Sequence, residues 1–321
     1  MDGMDVRVPA DQVAATPEAG ADMRVLPLIL GRWGPLGRPA RGPARRQIRQ
    51  ASRVRTRTGL IIAVAYLVLL VGWAIIPGVF AGTDPTAVNP LAALAGPSVH
   101  NFFGTDQYGR SIYDELVYGA RPALEVGVGS TLLGGAAGSL IGIAGGYLGG
   151  WFDLVVMRLI DMLLALPGLL LALIFIAALP RTLSNEIFAI AIASVPVFAR
   201  VLRGQAVQVR SRRFVDAATV SGLRRRTIVV RHVIPNCVAP ATELATVYVG
   251  VAIVIAASLS FLGLGPSEVV PDWGTLIQNG QGYIDHDWWI SVFPGVIVTL
   301  AVISLSVLGD RLRGALEPVR G

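Results

Sequence analysis

Residues that commonly carry chemistry are scarce in this sequence, and their spacing excludes more than it permits. The three histidines, His100, His232 and His286, stand far apart. Cys237 is the only cysteine, so neither an intrachain disulfide nor a cysteine-based metal site can form. His286 lies between Asp285 and Asp287. Three adjacent residues rarely face one ion, so this run reads as a hydrated loop and no metal site is expected. Gly129-Ser130 sits inside an apolar run, a setting for a membrane serine hydrolase. No histidine falls within an apolar span, and the usual base is therefore missing. All 27 basic residues are arginine, and none is lysine. A Gly-Lys-Ser/Thr phosphate loop needs its lysine to neutralise the β/γ-phosphates. This chain cannot build one, so any ATP that drives it is hydrolysed by another polypeptide. The chain is expected to be no enzyme and to carry no cofactor.

What remains are carboxylates in or beside apolar runs: Asp161, Glu186 and Glu243. Such groups are costly in lipid and often functional, and a proton-coupled transporter would use them. The plainer reading is ion pairing. Arg158 lies three residues before Asp161, on the same helical face. Glu243 reads better as the partner of a loop arginine than as a lining of the pathway.

The elements around these residues are apolar. Hydrophobic residues make up 53% of the 321 and charged residues 15%, where soluble domains carry about 25% charge. Six spans follow: 59–80, 126–152, 159–179, 187–199, about 238–264, and 288–309. The first is 22 residues without charge, about 33 Å of helix against a hydrocarbon core of about 30 Å. The third is interrupted by Asp161 and Pro167; the fourth is short, with Pro196 as a kink and Arg200 and Arg203 placed to snorkel. In the second, Gly134, Gly138, Gly142, Gly146 and Gly150 recur every fourth residue, the small-residue pattern that lets helices approach closely in lipid. Trp273, Trp288 and Trp289 read as interfacial anchors.

Charge sets the topology. Eleven arginines lie within 1–58 and nine between 200 and 231, whereas loops 81–121 and 265–287 are acidic. The positive-inside rule explains this alternation and puts both termini in the cytoplasm; nucleic-acid binding is not expected. Residues 1–58 read as an Arg- and Pro-rich cytoplasmic tail, and 59–321 as the membrane domain. Stretch 41–57 suits either a helix on anionic headgroups or a solvated coil.

The cytoplasmic loop at about 204–236 is the most informative segment. Residues 215–220 favour a short helix, Gly222 permits a tight turn, and 227–233 suit a second short helix before Pro235. Two helices hinged there would present Ala217 and Ala218 as a low surface rimmed by arginine. The run Asp216-Ala217-Ala218, then Gly222, then Ile234-Pro235, resembles the EAA loop of ABC importer permeases. Asp216 stands where Glu is usual, and His232 where Ile is common. The string Arg231-His232-Val-Ile-Pro235-Asn is similar to the peptide branch. Further strings resemble the C-type permeases of the dipeptide, oligopeptide and nickel family. They include Gly-Thr-Asp-Gln-Tyr-Gly-Arg at 104–110, Gly-Gly-Tyr-Leu-Gly-Gly-Trp at 145–151, Leu-Ser-Phe-Leu-Gly-Leu-Gly at 259–265 and Pro-Asp-Trp-Gly at 271–274.

The resemblance covers roughly 55–318 and implies an all-α membrane protein of six transmembrane helices with the type I importer architecture. It implies a multi-pass protein of the inner (cytoplasmic) membrane. It also implies a heterodimer with a second, B-type permease, two cytoplasmic ATP-binding subunits, an extracellular solute-binding protein, and peptides as the solute. In that family the loop is the coupling helix. Asp216, Ala217, Ala218, Gly222, Arg231, His232 and Pro235 would then meet the ATPase, and none would do chemistry.

Overall fold

The computed structural model describes the backbone of residues 43–267 and 270–316, with side chains over 58–267 and 270–312. Most of the expected N-terminal tail lies outside the described residues. The chain divides at Arg53, and the fold below is that of the unit Val54–Gly321.

Helix α1 (Pro43–Ile75) carries the first apolar stretch, Thr58–Ile75. The expected span to residue 80 is cut short. The helix stops at Ile76, and Pro77 starts the separate turn α2 (Pro77–Phe80), because proline offers no N–H to continue the ladder and suits a helix start.

Helix α3 (Ile112–Leu148) begins 14 residues before the charge-free run. Its N-cap Ser111 accepts from the Asp114 N–H at 3.3 Å, and Asp114 and Glu115 occupy the positive first turn. Gly149, at φ 65°, ends it. Gly150 therefore lies past the helix and off the glycine ridge, with open space where a Cβ would stand.

The third span is broken. Helices α4 (Gly150–Leu164) and α5 (Gly168–Ala177) meet at 88°. Pro167 disfavours helix in the residue before it and lacks the N–H that would bridge the gap. Among the described residues, five helices are long and apolar enough to cross a membrane, or six if this bent pair counts as one span.

The weak fourth span becomes the 28-residue α6 (Leu183–Arg210), with Pro196 inside it. It packs most extensively on α3. The ridge faces this neighbour: a Cβ on Gly138 would stand 2.5 Å from the Val195 carbonyl oxygen, and one on Gly146 2.6 Å from that of Arg203. Cβ atoms on Gly134 and Gly142 would strike Ala191 and Ala199. The backbones are as close as glycine allows.

Beyond α6 come α7 (Arg213–Val220), the short α8 (Arg225–Ile228), a π-helical turn (Val229–Val233) and α9 (Ile234–Phe261). The segment expected to be a separate second hinge helix thus runs on into the fifth span, Arg225–Phe261. The wider π turn lets Pro235 enter without its missing N–H breaking the chain. Helix α10 (Trp273–Gly280) follows, capped by Asp272, and α11 (Trp289–Leu316) closes the fold. Sequence reading took α10 for acidic loop. It is tucked against α9 and α11, and Trp273 is 1% exposed, its Nε1 donating to the Leu116 carbonyl at 3.0 Å. Trp273 is a core residue, not an interfacial anchor.

Candidate functional site

At the end of α6 the chain turns on Ser211 and Arg212 and enters α7. Val215 and Ala218, three apart on one helical face, are buried and pack with Ile228 and with Tyr147 from the end of α3. Ala218 is therefore the base of the motif rather than part of its surface, while Asp216 and Ala217 remain exposed. A helix of eight residues must bury one face to hold, and the two alanines fall on opposite sides of that division.

Helix α7 ends in a closed cap. The Leu223 N–H donates to the Ala218 carbonyl at 3.2 Å and the Gly222 N–H to that of Thr219 at 3.0 Å. This six-to-one and five-to-two pairing needs a left-handed residue at Gly222, whose φ is 75°. No atom lies within 4 Å of where a Cβ would stand. Backbone conformation, not crowding, demands glycine there.

The outer face of this unit is apolar and cationic together. Phe214, Val220, Leu223 and Val230 are exposed, Val220 at 89%. Arg212, Arg213, Arg224, Arg225, Arg226 and Arg231 are all exposed around them. No ion pair engages any of the six among the described residues. His232 is half-buried, its ring 5.9 Å from that of Phe214. Its carbonyl accepts from Asn236 Nδ2 at 2.7 Å. Pro235 is exposed in the first turn of α9. Asp216, Ala217, Gly222, Arg231, His232 and Pro235 thus share one end of the bundle, with Ala218 beneath them.

Two ion pairs brace this end. Arg203 chelates Asp153 through two 2.6 Å hydrogen bonds, and Arg200 pairs with Asp161. Asp161 has its partner on α6, not in Arg158 as the sequence suggests. Both arginines are thereby held by α4.

At the opposite end, the loop from 81 to 111 folds onto the bundle. Buried Asp106 and Glu115 flank Arg110 at 2.6 and 3.0 Å. Asp114 accepts from the Gly82 N–H at 3.1 Å and from the Thr83 hydroxyl. Trp289 Nε1 donates to the Thr105 carbonyl at 3.3 Å. Nearby, a cavity of about 450 Å³ opens between α3, α6, α9 and α10. Sequence reading missed this cavity, because α10 was not foreseen and Glu186 was considered only as a carboxylate for proton coupling.

Comparison with known proteins gives the family. Residues 138–320 match the family described as binding-protein-dependent transport system inner membrane component. The chain is 37% identical over 260 residues to a dipeptide transport system permease protein of Alkalihalophilus pseudofirmus, covering 81% of this chain and 84% of that one. It is 34% identical over 268 residues to a probable D,D-dipeptide transport system permease protein of Escherichia coli K12, covering 83% and 88%. A glutathione transport system permease protein of another Escherichia coli strain is 37% identical over 223 residues, covering 70% and 74%. Nothing in this membership supports the proton-coupled alternative. The chain belongs to the binding-protein-dependent transport inner-membrane family: it is an all-α, multi-pass permease component of an ABC importer, and ATP is hydrolysed on separate subunits.

Proposed function

We propose that this chain is the C-type half of a heterodimeric peptide importer in the cytoplasmic membrane, with both termini in the cytoplasm. The N-terminal 58 residues form its cytoplasmic tail, and the membrane domain runs from residue 59. Its partners are a B-type permease, two ATP-binding subunits and an extracellular solute-binding protein. The loop at about 204–236 docks in the ATPase, with Asp216, Ala217 and the exposed apolar side chains of α7 entering a groove. Arg231 and its neighbours rim the contact. Ala218, Gly222, His232 and Pro235 hold the shape. ATP binding draws the ATPases together and moves the loops, which switches a bistable helix bundle between inward- and outward-facing states.

The observation that carries this reading is the small capped helix α7, which leaves Phe214, Val220 and Leu223 exposed amid six arginines that have no ion-pair partner among the described residues. Exposed apolar side chains ringed by charge mark a partner surface. Peptide as solute is supported by the three relatives, named for dipeptide, D,D-dipeptide and glutathione transport.

The test is reconstitution. The chain should co-purify with an ATPase, and vesicles holding the complex should accumulate dipeptide only with ATP and binding protein, unaffected by an uncoupler. Uptake without ATP that an uncoupler dissipates would refute the reading.

A further inference from the structure

We infer that the cavity between α3, α6, α9 and α10 is a subsite for the ammonium group of the translocating solute, received by Glu186. The inference rests on the proposed function, because it takes the cavity to lie on the path of a small charged solute.

The cavity's size, about 450 Å³, falls within the roughly 300–1,000 Å³ of small-molecule sites. Its lining is net acidic: Glu125, Glu186 and Asp272 face a single described cation, Arg121. That cation is spoken for, since Arg121 pairs with Glu125 at 2.9 Å. Asp272 is also engaged, as its Oδ2 accepts from the Thr275 N–H and hydroxyl at 3.3 and 3.1 Å.

Glu186 is different. It is 2% exposed, it lines the cavity, and its Oε1 has no hydrogen-bond partner among the described residues. A buried carboxyl oxygen without a donor costs free energy on the order of 1–3 kcal/mol. An unmet buried oxygen calls for a physical reason, and a ligand that supplies the donor is one. What fits is a compact cation bearing several N–H groups. The walls suit one as well: Tyr118 and Trp273 line the same cavity, and aromatic faces attract ammonium ions. A metal ion is a poorer fit, since no group of three or more ligating side chains converges among the described residues.

The test uses the purified, assembled importer and a hydrophobic carbodiimide, which couples to carboxyls in apolar surroundings. Labelling of Glu186 is followed by peptide mass. L-Ala-L-Ala and ethylammonium chloride should each slow labelling about threefold at roughly twice their Kd, as mass action requires. N-acetyl-L-Ala-L-Ala, which lacks the ammonium, and sodium chloride at matched ionic strength should leave the rate unchanged. Equal protection by all four additives, or by none, would overturn the subsite; so would a Glu186 that never labels, since a carboxyl that receives a solute's ammonium must be reachable from the cavity. The reaction needs neither ATP nor uptake. Lost protection therefore strikes this subsite alone, whereas absent ATP-driven uptake strikes the proposed function.

Discussion

Arg203 of α6 and Asp153 of α4 are joined by two parallel 2.6 Å hydrogen bonds across 50 residues of sequence. Asp153 is 15% exposed and Arg203 38%. A bidentate guanidinium–carboxylate pair at that depth outweighs an exposed one, and this one ties the bent α4–α5 pair to the helix that leads into α7.

Arg203→Ala should therefore lower stability in detergent by about 1–2 kcal/mol, the roughly 1.5–3 kcal/mol of hydrogen bonds to charged groups reduced for the exposure of Arg203. Arg203→Lys should recover less than half, because an ammonium cannot reproduce the fork. A double-mutant cycle with Asp153→Ala, read by thermal unfolding, should give a coupling of about 1 kcal/mol. Additive effects would mean that the pair contributes nothing.

The glycine ridge makes a steric prediction. A side chain at Gly142 meets the Ala199 backbone, which cannot step aside as a flexible side chain could. Gly142→Val should cost at least about 3 kcal/mol, the upper range for overpacking, and sharply reduce the monodisperse fraction in size-exclusion chromatography. Gly168→Ala, where a Cβ meets nothing within 4 Å, should stay within about 0.5 kcal/mol of the parent.

Trp273 yields a graded pair. Trp273→Phe removes the Nε1 hydrogen bond to Leu116 and should cost about 1 kcal/mol. Trp273→Ala empties a fully buried site and should cost about 3–5 kcal/mol. Thermal unfolding of the two variants checks the order. Equal small losses would return Trp273 to the interface where the sequence had put it.

Gly222 separates shape from insertion. Gly222→Ala keeps the cap at a strain of about 1–2 kcal/mol for a left-handed residue. Gly222→Pro cannot adopt a φ of 75° and deletes the N–H that donates to Thr219. The proline variant should insert normally yet retain about a tenth or less of the ATPase on co-purification, while the alanine variant retains most of it. Normal ATPase recovery and uptake with Gly222→Pro would count against the docking role.

The features legible in the sequence were those written in local spacing. Glycines at every fourth residue are neighbours on any helix, and arginines alternate with acids by loop, so neither needs a fold to be seen. The partner of Asp161 was not legible, because Arg200 lies 39 residues away and only the packing of α4 on α6 joins them. Ala217 and Ala218 look alike in sequence. Which one is buried depends on where Tyr147 and Ile228 arrive. The cavity at Glu186 needed α10, a helix of eight residues too short to announce itself by periodicity. Pro235 misled for a related reason: a helix stop is the usual reading, and the π turn that admits it leaves no pattern.

The most direct test of the importer reading is where α7 lies and what it touches. With cysteine at Ala217, exposed beside the cap, and native Cys237 buried, an impermeant maleimide should leave intact cells unlabelled. A short bis-maleimide in inside-out vesicles should join this thiol to a cysteine introduced into the groove of an ATPase subunit. Labelling from outside the cell, with no such cross-link from within, would contradict the account.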